Sequence, residues 1–235
     1  LKLFEMVVAF MTHGFLHFPC FLGPAAQSEL LETLDRALHE APLFTPVMPR
    51  TGHPFSVRMS NLGALGWVSD RLGYRYQPFH PETAKPWPPM PPQLLDIWRA
   101  LSDYPHDPQA CLVNYYGQGA KMALHRDEDE EDISAPVVSI SLGDTAVFRL
   151  GGLERRGKTS TIKLSSGDVV VLGGPSRLRY HGIDRILPGT SRLLSQGGRI
   201  NLTLRRVSKP QGQASFAGAL DTPTRAGRKH RLPIA

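Results

Sequence analysis

Between Ala110 and Val207 the chain breaks into short segments rich in β-branched and aromatic residues: "ACLVNYY", "AKMALH", "PVVSISL", "TAVFRL", "TSTIKL", "DVVVL" and "RINLTLRRV". Gly or Ser turns separate them, and several alternate apolar with polar positions, the period of a strand with one buried face. So many short strands in about a hundred residues predict a sandwich, jelly roll or barrel. Upstream the period changes. Leu30, Leu31, Leu34 and Leu38 recur at helical spacing and predict a helix over about 26–40, capped by Ser28. The run "PWPPMPP", Pro86 to Pro92, excludes regular structure and reads as a rigid loop. Its last proline opens a second helix, Gln93 to Asp103. Helices first and strands after predict helices packed on the outside of one β core. After Val207 periodicity fades, and a flexible tail is expected.

Composition narrows the class. At 235 residues and 41% apolar, the chain can form one large domain with a sizeable core. The cysteines, Cys20 and Cys111, share no motif, so a reducing cytoplasm is the default expectation. No apolar run approaches the length of a membrane span, and "LFEMVVAFM" lacks the charged flank of a signal peptide and is read as part of the fold. The net charge is +6, yet six carboxylates run unbroken from Asp127 to Asp132. The segment 208–235 holds five Lys/Arg against one acid. A basic body with a basic tail points to a polyanion, most simply nucleic acid.

The acidic run follows a histidine. His125 and Asp127 lie two apart at the end of a predicted strand, so both side chains point to one face. A third ligand would complete a two-His, one-carboxylate set suited to non-haem Fe(II) and oxygen. His181, in "SRLRYHG", is the candidate. In "RINLTLR", alternation puts Arg199, Asn201, Thr203 and Arg205 on one face, where two guanidiniums can clamp a small dicarboxylate. Taken singly, each feature has an ordinary reading: a solvated acidic loop, a half-buried histidine, an exposed strand.

Together the motifs resemble the AlkB family of Fe(II)- and 2-oxoglutarate-dependent dioxygenases, which repair alkylated nucleic acids. The residues carrying the resemblance are "LVNYYGQGAKMALHRDEDE", "APVVSISLG", "FRLGGLERR", "GDVVVLGG", "SRLRYHG" and "RINLTLR", with "MSNLGALGW", "LGYRY" and "KPWPPMP" upstream. They span roughly Phe15 to Val207. The resemblance implies a double-stranded β-helix core over about 108–207, preceded over about 12–100 by an extension and a nucleotide-recognition lid. Residues 1–207 would form one dioxygenase domain, with 208–235 the tail. It makes His125, Asp127 and His181 the iron ligands. Arg199 would bind the distal carboxylate of 2-oxoglutarate and Arg205 the carboxylate beside the keto group, with Asn201, Asn114 and Tyr116 nearby. Trp67 would stack on a flipped base, opposite His125. Tyr74 and Arg155 would contact the backbone or the pocket rim, and Met59 would belong to the lid. Asp129 would accept a hydrogen bond from the exocyclic amine of the base. Glu128, Glu131 and Asp132 would then be solvated. Leu172 departs from the family, which has an aromatic there.

The implied reaction consumes 2-oxoglutarate and O2 at Fe(II) and releases succinate. The N-methyl group of 1-methyladenine or 3-methylcytosine is hydroxylated, and the hydroxymethyl product loses formaldehyde to restore the base. The expected partner is alkylated DNA or RNA, and the expected form a cytoplasmic monomer. Two other classes stay open: a dioxygenase of the same fold acting on RNA, protein or a small molecule, and a non-catalytic nucleic-acid-binding module. Succinate formation with and without methylated oligonucleotide separates them.

Overall fold

The computed structural model describes residues 10–210, with side chains from residue 13 onward. The expectations for the segment before Phe10 and for the tail beyond Pro210 concern residues outside that range. The strands expected in the second half all form: β6 Ala110–Tyr116, β7 Met122–His125, β8 Val137–Gly143, β9 Thr145–Leu150, β10 Ser160–Leu164, β11 Val169–Leu172, β12 His181–Leu187 and β13 Arg199–Arg205. Five more precede them: β1 Phe10–Thr12, β2 Phe15–Phe18, β3 Arg58–Gly63, β4 Gly66–Asp70 and β5 Gly73–Gln77.

Pairing is antiparallel throughout. One sheet runs β1-β2-β11-β8-β13-β6-β3, a second runs β10-β9-β12-β7, and β4 and β5 form a separate hairpin. The first two sheets pack face to face as the two halves of a double-stranded β-helix. Leu112, Tyr116, Val137, Val170 and Leu172 of the larger sheet join Ala146, Phe148, Leu150, Ile183 and Ile186 of the smaller in one core cluster. Strands β2 and β3, from the N-terminal segment, are hydrogen-bonded members of the larger sheet.

The other face of the larger sheet is also buried. Helices α1, Pro24–Glu40, and α2, Pro92–Leu101, lay Leu30, Leu34, Leu94, Ile97 and Trp98 against Val138, Ile140, Val169, Val171, Leu202 and Leu204. Burial on both faces explains why "DVVVL" shows no alternation. Helix α1 starts two residues earlier than expected. Gly23 is its N-cap and Pro24 opens it, so Ser28 lies inside the helix and does not cap it. A proline at the first helical position loses no hydrogen bond and brings its φ pre-set. Among the described residues, no helix is long and apolar enough to cross a membrane.

Buried polar groups fasten the N-terminal strands. Asp168 accepts from His17 Nε2 at 3.0 Å, Cys20 N at 2.9 Å and Ser165 N at 2.9 Å. Burial raises the pKa of this carboxyl, but the three donors outweigh it and hold the pKa below the ordinary 3.8. A carboxyl with a depressed folded pKa stabilises the fold fully above the unfolded pKa and loses that contribution as pH falls through the folded one. Asp168→Ala should therefore cost on the order of 3 kcal/mol near neutrality and flatten the acid side of the stability curve. Urea unfolding between neutral pH and about pH 3 reads both effects. An unchanged acid limb would show that the carboxylate is not a stabilising acceptor.

Candidate active site

His125 ends β7 and His181 begins β12, and the two are register partners. Directly paired residues of an antiparallel ladder share a face, which sets the imidazole centroids 4.6 Å apart. Gly182 permits the approach, because a Cβ there would lie 2.5 Å from the Met122 carbonyl oxygen. Asp127, two residues past His125, turns into the same space. The ligand atoms of all three lie within 4.8 Å of one another.

The two imidazoles are oriented alike. His125 Nδ1 sits 3.0 Å from the Ala123 carbonyl and His181 Nδ1 3.0 Å from the Arg179 carbonyl. A carbonyl accepts only, so each Nδ1 carries the proton and each Nε2 lone pair is free. Both Nε2 atoms face Asp127 at 3.8 Å, too far for hydrogen bonds and close enough for one cation to bridge. Burial and the neighbouring His125 push the His181 pKa down to about 4, so it is a neutral ligand at pH 7. Burial alone would raise the Asp127 pKa, but the neighbouring cationic groups, the Arg205 guanidinium foremost, outweigh it and keep the carboxylate ionised. Its Oδ2 is buried without a hydrogen-bond partner. Two imidazole nitrogens and one anionic oxygen with an unsatisfied lone pair fit a divalent iron.

Beside this cluster, β13 presents the face that alternation predicts. Arg199 pairs with Tyr116, Asn201 with Asn114 and Ser141, and Thr203 with Ser139. Met59 joins the row opposite Asn114. Arg199 is 1% exposed. One of its nitrogens donates to Ser141 Oγ at 3.0 Å, and its guanidinium lies 5.3 Å from the Tyr116 ring centroid. Nε and Nη1 have no partner. Desolvation lowers its pKa, and no carboxylate pairs with it among the described residues. A buried guanidinium with two free donors is a receptor for a carboxylate. Asn114 Oδ1 is orphaned too, while Asn201 Nδ2 donates to Ser139 Oγ at 2.7 Å. The unpaired guanidinium donors, Nε and Nη1 of Arg199 and Nε of Arg205, fit a dicarboxylate such as 2-oxoglutarate. Ser139 and Ser141 are contributors that went unnoticed in the sequence, although the alternation of "PVVSISL" puts both on one face.

Arg205 is engaged within the fold. Its Nη2 donates to Asp127 Oδ1 at 2.7 Å and its Nη1 to Tyr76 Oη at 3.0 Å, while Nε is unpaired. The acidic run divides accordingly. Glu128 and Glu131 are exposed as expected. Asp132 is not: it is 6% exposed, accepts from Tyr104 and Ser134, and closes its own loop. Glu130 is also buried, receiving Tyr76, Arg205 and Arg177. Arg177 in turn donates to the carbonyls of Asp127 at 2.6 Å and Ala135 at 2.8 Å. The run therefore holds two structural anions anchored by cations or phenols far along the chain.

Trp67 stands at the rim. The Asn61 amide bonds its backbone N and O at 3.0 Å each. The indole N–H donates to Asp129 Oδ2 at 2.8 Å, and the ring stacks on Tyr74 at 5.5 Å and 17°. Trp67, Tyr74, Met59, Asp129, Arg155, the three candidate ligands and Asn201, Thr203 and Arg205 of β13 line one cavity of about 350 Å³; Arg199 is not in its lining and lies buried against Tyr116, which is. Leu172 is in its wall, 2% exposed. The candidate residues other than Arg199 thus converge on a single space.

Comparisons with known proteins agree with this geometry. The model of the 2OG-Fe(II) oxygenase superfamily matches residues 14–205. The alpha-ketoglutarate-dependent dioxygenase AlkB homolog of Caulobacter vibrioides is 54% identical over 194 residues, covering 83% of this chain and 88% of that protein. The alpha-ketoglutarate-dependent dioxygenase AlkB of Escherichia coli K12 is 42% identical over 190 residues, 79% of this chain and 87% of its own. The solved structure of OsALKBH1 superimposes with a TM-score of 0.71 at 31% identity, covering 84% of this chain and 98% of that one.

Proposed function

Because the chain belongs to the AlkB family of Fe(II)- and 2-oxoglutarate-dependent dioxygenases, we propose that it removes N-methyl groups oxidatively from alkylated nucleic-acid bases, with 1-methyladenine and 3-methylcytosine in DNA as preferred targets. The observation that carries this reading is the hydrogen bond from Trp67 to Asp129 at the mouth of the cavity that His125, Asp127 and His181 line. It makes an aromatic plate and an anion into one rigid unit. A flat cationic ring is the ligand that such a unit recognises.

When bound, Fe(II) and 2-oxoglutarate supply activation of O2 coupled to decarboxylation of the keto acid. His125, Asp127 and His181 would hold the metal. Arg199 would neutralise the distal carboxylate, and Arg205, through Nε, would meet the other. Arg205 and Arg177 also fix the Asp127 segment. Phe148, Val170, Leu172 and Ile183 line the inner wall and keep water from the reacting methyl group. The target methyl lies on the pairing edge of the base, so the nucleotide must leave the duplex, and its broken pairing makes that cheaper. The flipped ring would stack between Trp67 and His125.

Asp129 selects the base in this reading. 1-methyladenine and 3-methylcytosine are cationic near neutral pH and keep an amine donor. 1-methylguanine and 3-methylthymine are neutral and present a carbonyl that a carboxylate repels. One Asp129 oxygen is taken by Trp67, which leaves the other for the amine. Asp129→Asn can keep the Trp67 contact while removing the charge. It should lower kcat/KM on the cationic pair by roughly tenfold to a hundredfold, the worth of a charged hydrogen bond of ~1.5–3 kcal/mol, and narrow the gap to the neutral pair. Kinetics on four matched oligonucleotides measure this. An unchanged preference would move base selection away from Asp129.

A further inference from the structure

The two sheets are covered differently. Helices α1 and α2 bury the outside of the larger one, but the outside of the smaller sheet carries exposed polar side chains. Charge is concentrated there. Residues 145–187 hold eight Lys/Arg against three Asp/Glu, while the remaining described residues hold 14 against 16. Within that stretch Arg177 and Asp168 are buried and paired inside the fold and Arg185 pairs with Asp184 at 2.6 Å, which still leaves Arg149, Arg155, Arg156, Lys158 and Lys163 against Glu154.

Register fixes how these cations are arrayed. Lys163 on β10 and Arg185 on β12 both pair with Val147 on β9. The three therefore share a face, with the cations two strand spacings, about 9–10 Å, apart. Ala146, Phe148 and Leu150 point the other way, into the core. Arg149 follows Val147 on the outer face, and its guanidinium donates to Thr159 Oγ1 at 3.1 Å. Thr159 closes the β9–β10 loop, which exposes Arg155, Arg156 and Lys158. Arg155 also lines the active-site cavity. A basic track thus leads from the cavity mouth, along this loop, onto the outer face of the smaller sheet.

We propose that this face is a second nucleic-acid contact, which takes the sugar–phosphate backbone of the strand flanking the target nucleotide. The inference rests on the nucleic-acid reading above. Charge complementarity and continuity with the cavity through Arg155 select the occupant. The face offers cations but no aromatic platform, so it holds phosphates and reads no bases. It should therefore matter for long substrates and not for short ones.

The test is a triple variant, Lys158→Gln, Lys163→Gln and Arg185→Gln, in the full chain. Glutamine keeps much of the aliphatic stem that shields Val147, and none of the three residues belongs to the cavity machinery. Binding of 1-methyladenine oligonucleotides of about 4 and about 20 nucleotides, short and long against a single-strand binding site, is followed by fluorescence anisotropy against salt. For the long strand, the slope of log K against log salt should become shallower by about 2, some 0.7 for each phosphate that the variant no longer neutralises. Its affinity should fall on the order of tenfold at low salt. Binding and demethylation of the short strand should stay at the wild-type level. Equal slopes for variant and wild type on the long strand would overturn the proposal and leave the face to a partner such as an acidic protein. Equal losses at both lengths would also overturn it, because the effect would then lie in the cavity. If the wild type binds neither length, the nucleic-acid reading itself falls.

Discussion

His181→Ala abolishes turnover and metal binding while leaving the protein folded: that is the outcome expected of the largest single perturbation. The side chain sits in the sheet-to-sheet core beside Phe148 at 5.8 Å and His125 at 4.6 Å. Its Nδ1 is occupied by the Arg179 carbonyl, so Nε2 has nothing to do in the protein except to act as a ligand. Losing it leaves His125 and Asp127, two donors of three. Activity should fall at least about a thousandfold, equivalent to ~4 kcal/mol of barrier. His125→Ala should match it, since the pair is equivalent by register. Circular dichroism checks the fold, and titration with Mn(II), which suits the same donor set, checks the site. Near-wild-type demethylation in a metal-controlled assay by either variant would remove the assignment.

Arg199→Met should separate stability from function. Arg199 is a fully desolvated guanidinium whose Nε and Nη1 bond no group of the protein. Replacing such a group by an apolar chain of similar volume removes the cost of desolvating an unpaired charge. The variant without cosubstrate should therefore melt at or above the wild-type temperature. Affinity for 2-oxoglutarate should drop by roughly tenfold to a hundredfold, the loss of a charged hydrogen-bonded partner worth ~1.5–3 kcal/mol. The same cosubstrate concentration that stabilises the wild type by about 2.7 kcal/mol at a hundred times Kd should shift the variant far less. Melting curves with and without 2-oxoglutarate and Mn(II) give both numbers. An equal ligand-induced shift in variant and wild type would put the dicarboxylate site elsewhere.

What could be read from the chain depended on whether the partners were local. The face of β13 was readable because Arg199, Asn201, Thr203 and Arg205 alternate with Ile200, Leu202 and Leu204, and nothing in the fold disturbs that period. His125 and Asp127 were readable for the same reason. Strands β3 and β4 were not. Ser60 and Asn61 look like loop residues, yet both are fully buried, Ser60 on the Ala41 carbonyl and Asn61 on the backbone of Trp67. The acidic run misled at Asp132 because its donor, Tyr104, lies 28 residues away. Glu130 could not be assigned because Arg177, which neutralises it, lies 47 residues off. Burial of a charge is decided by such distant partners. Charge composition has no register, so the basic face of the smaller sheet emerged only once Lys163 and Arg185 were paired across Val147.

The most direct test of demethylation at this site follows both products of one reaction. Purified protein, Fe(II), 2-oxoglutarate and O2 are combined with a 1-methyladenine oligonucleotide, with its unmethylated twin, or with neither, and succinate and formaldehyde are measured together. Succinate should rise sharply only with the methylated strand, and formaldehyde should appear in equal amount as adenine is restored. Succinate formation indifferent to the methyl group, or without matching formaldehyde, would contradict demethylation of a nucleic-acid base as the activity of this site.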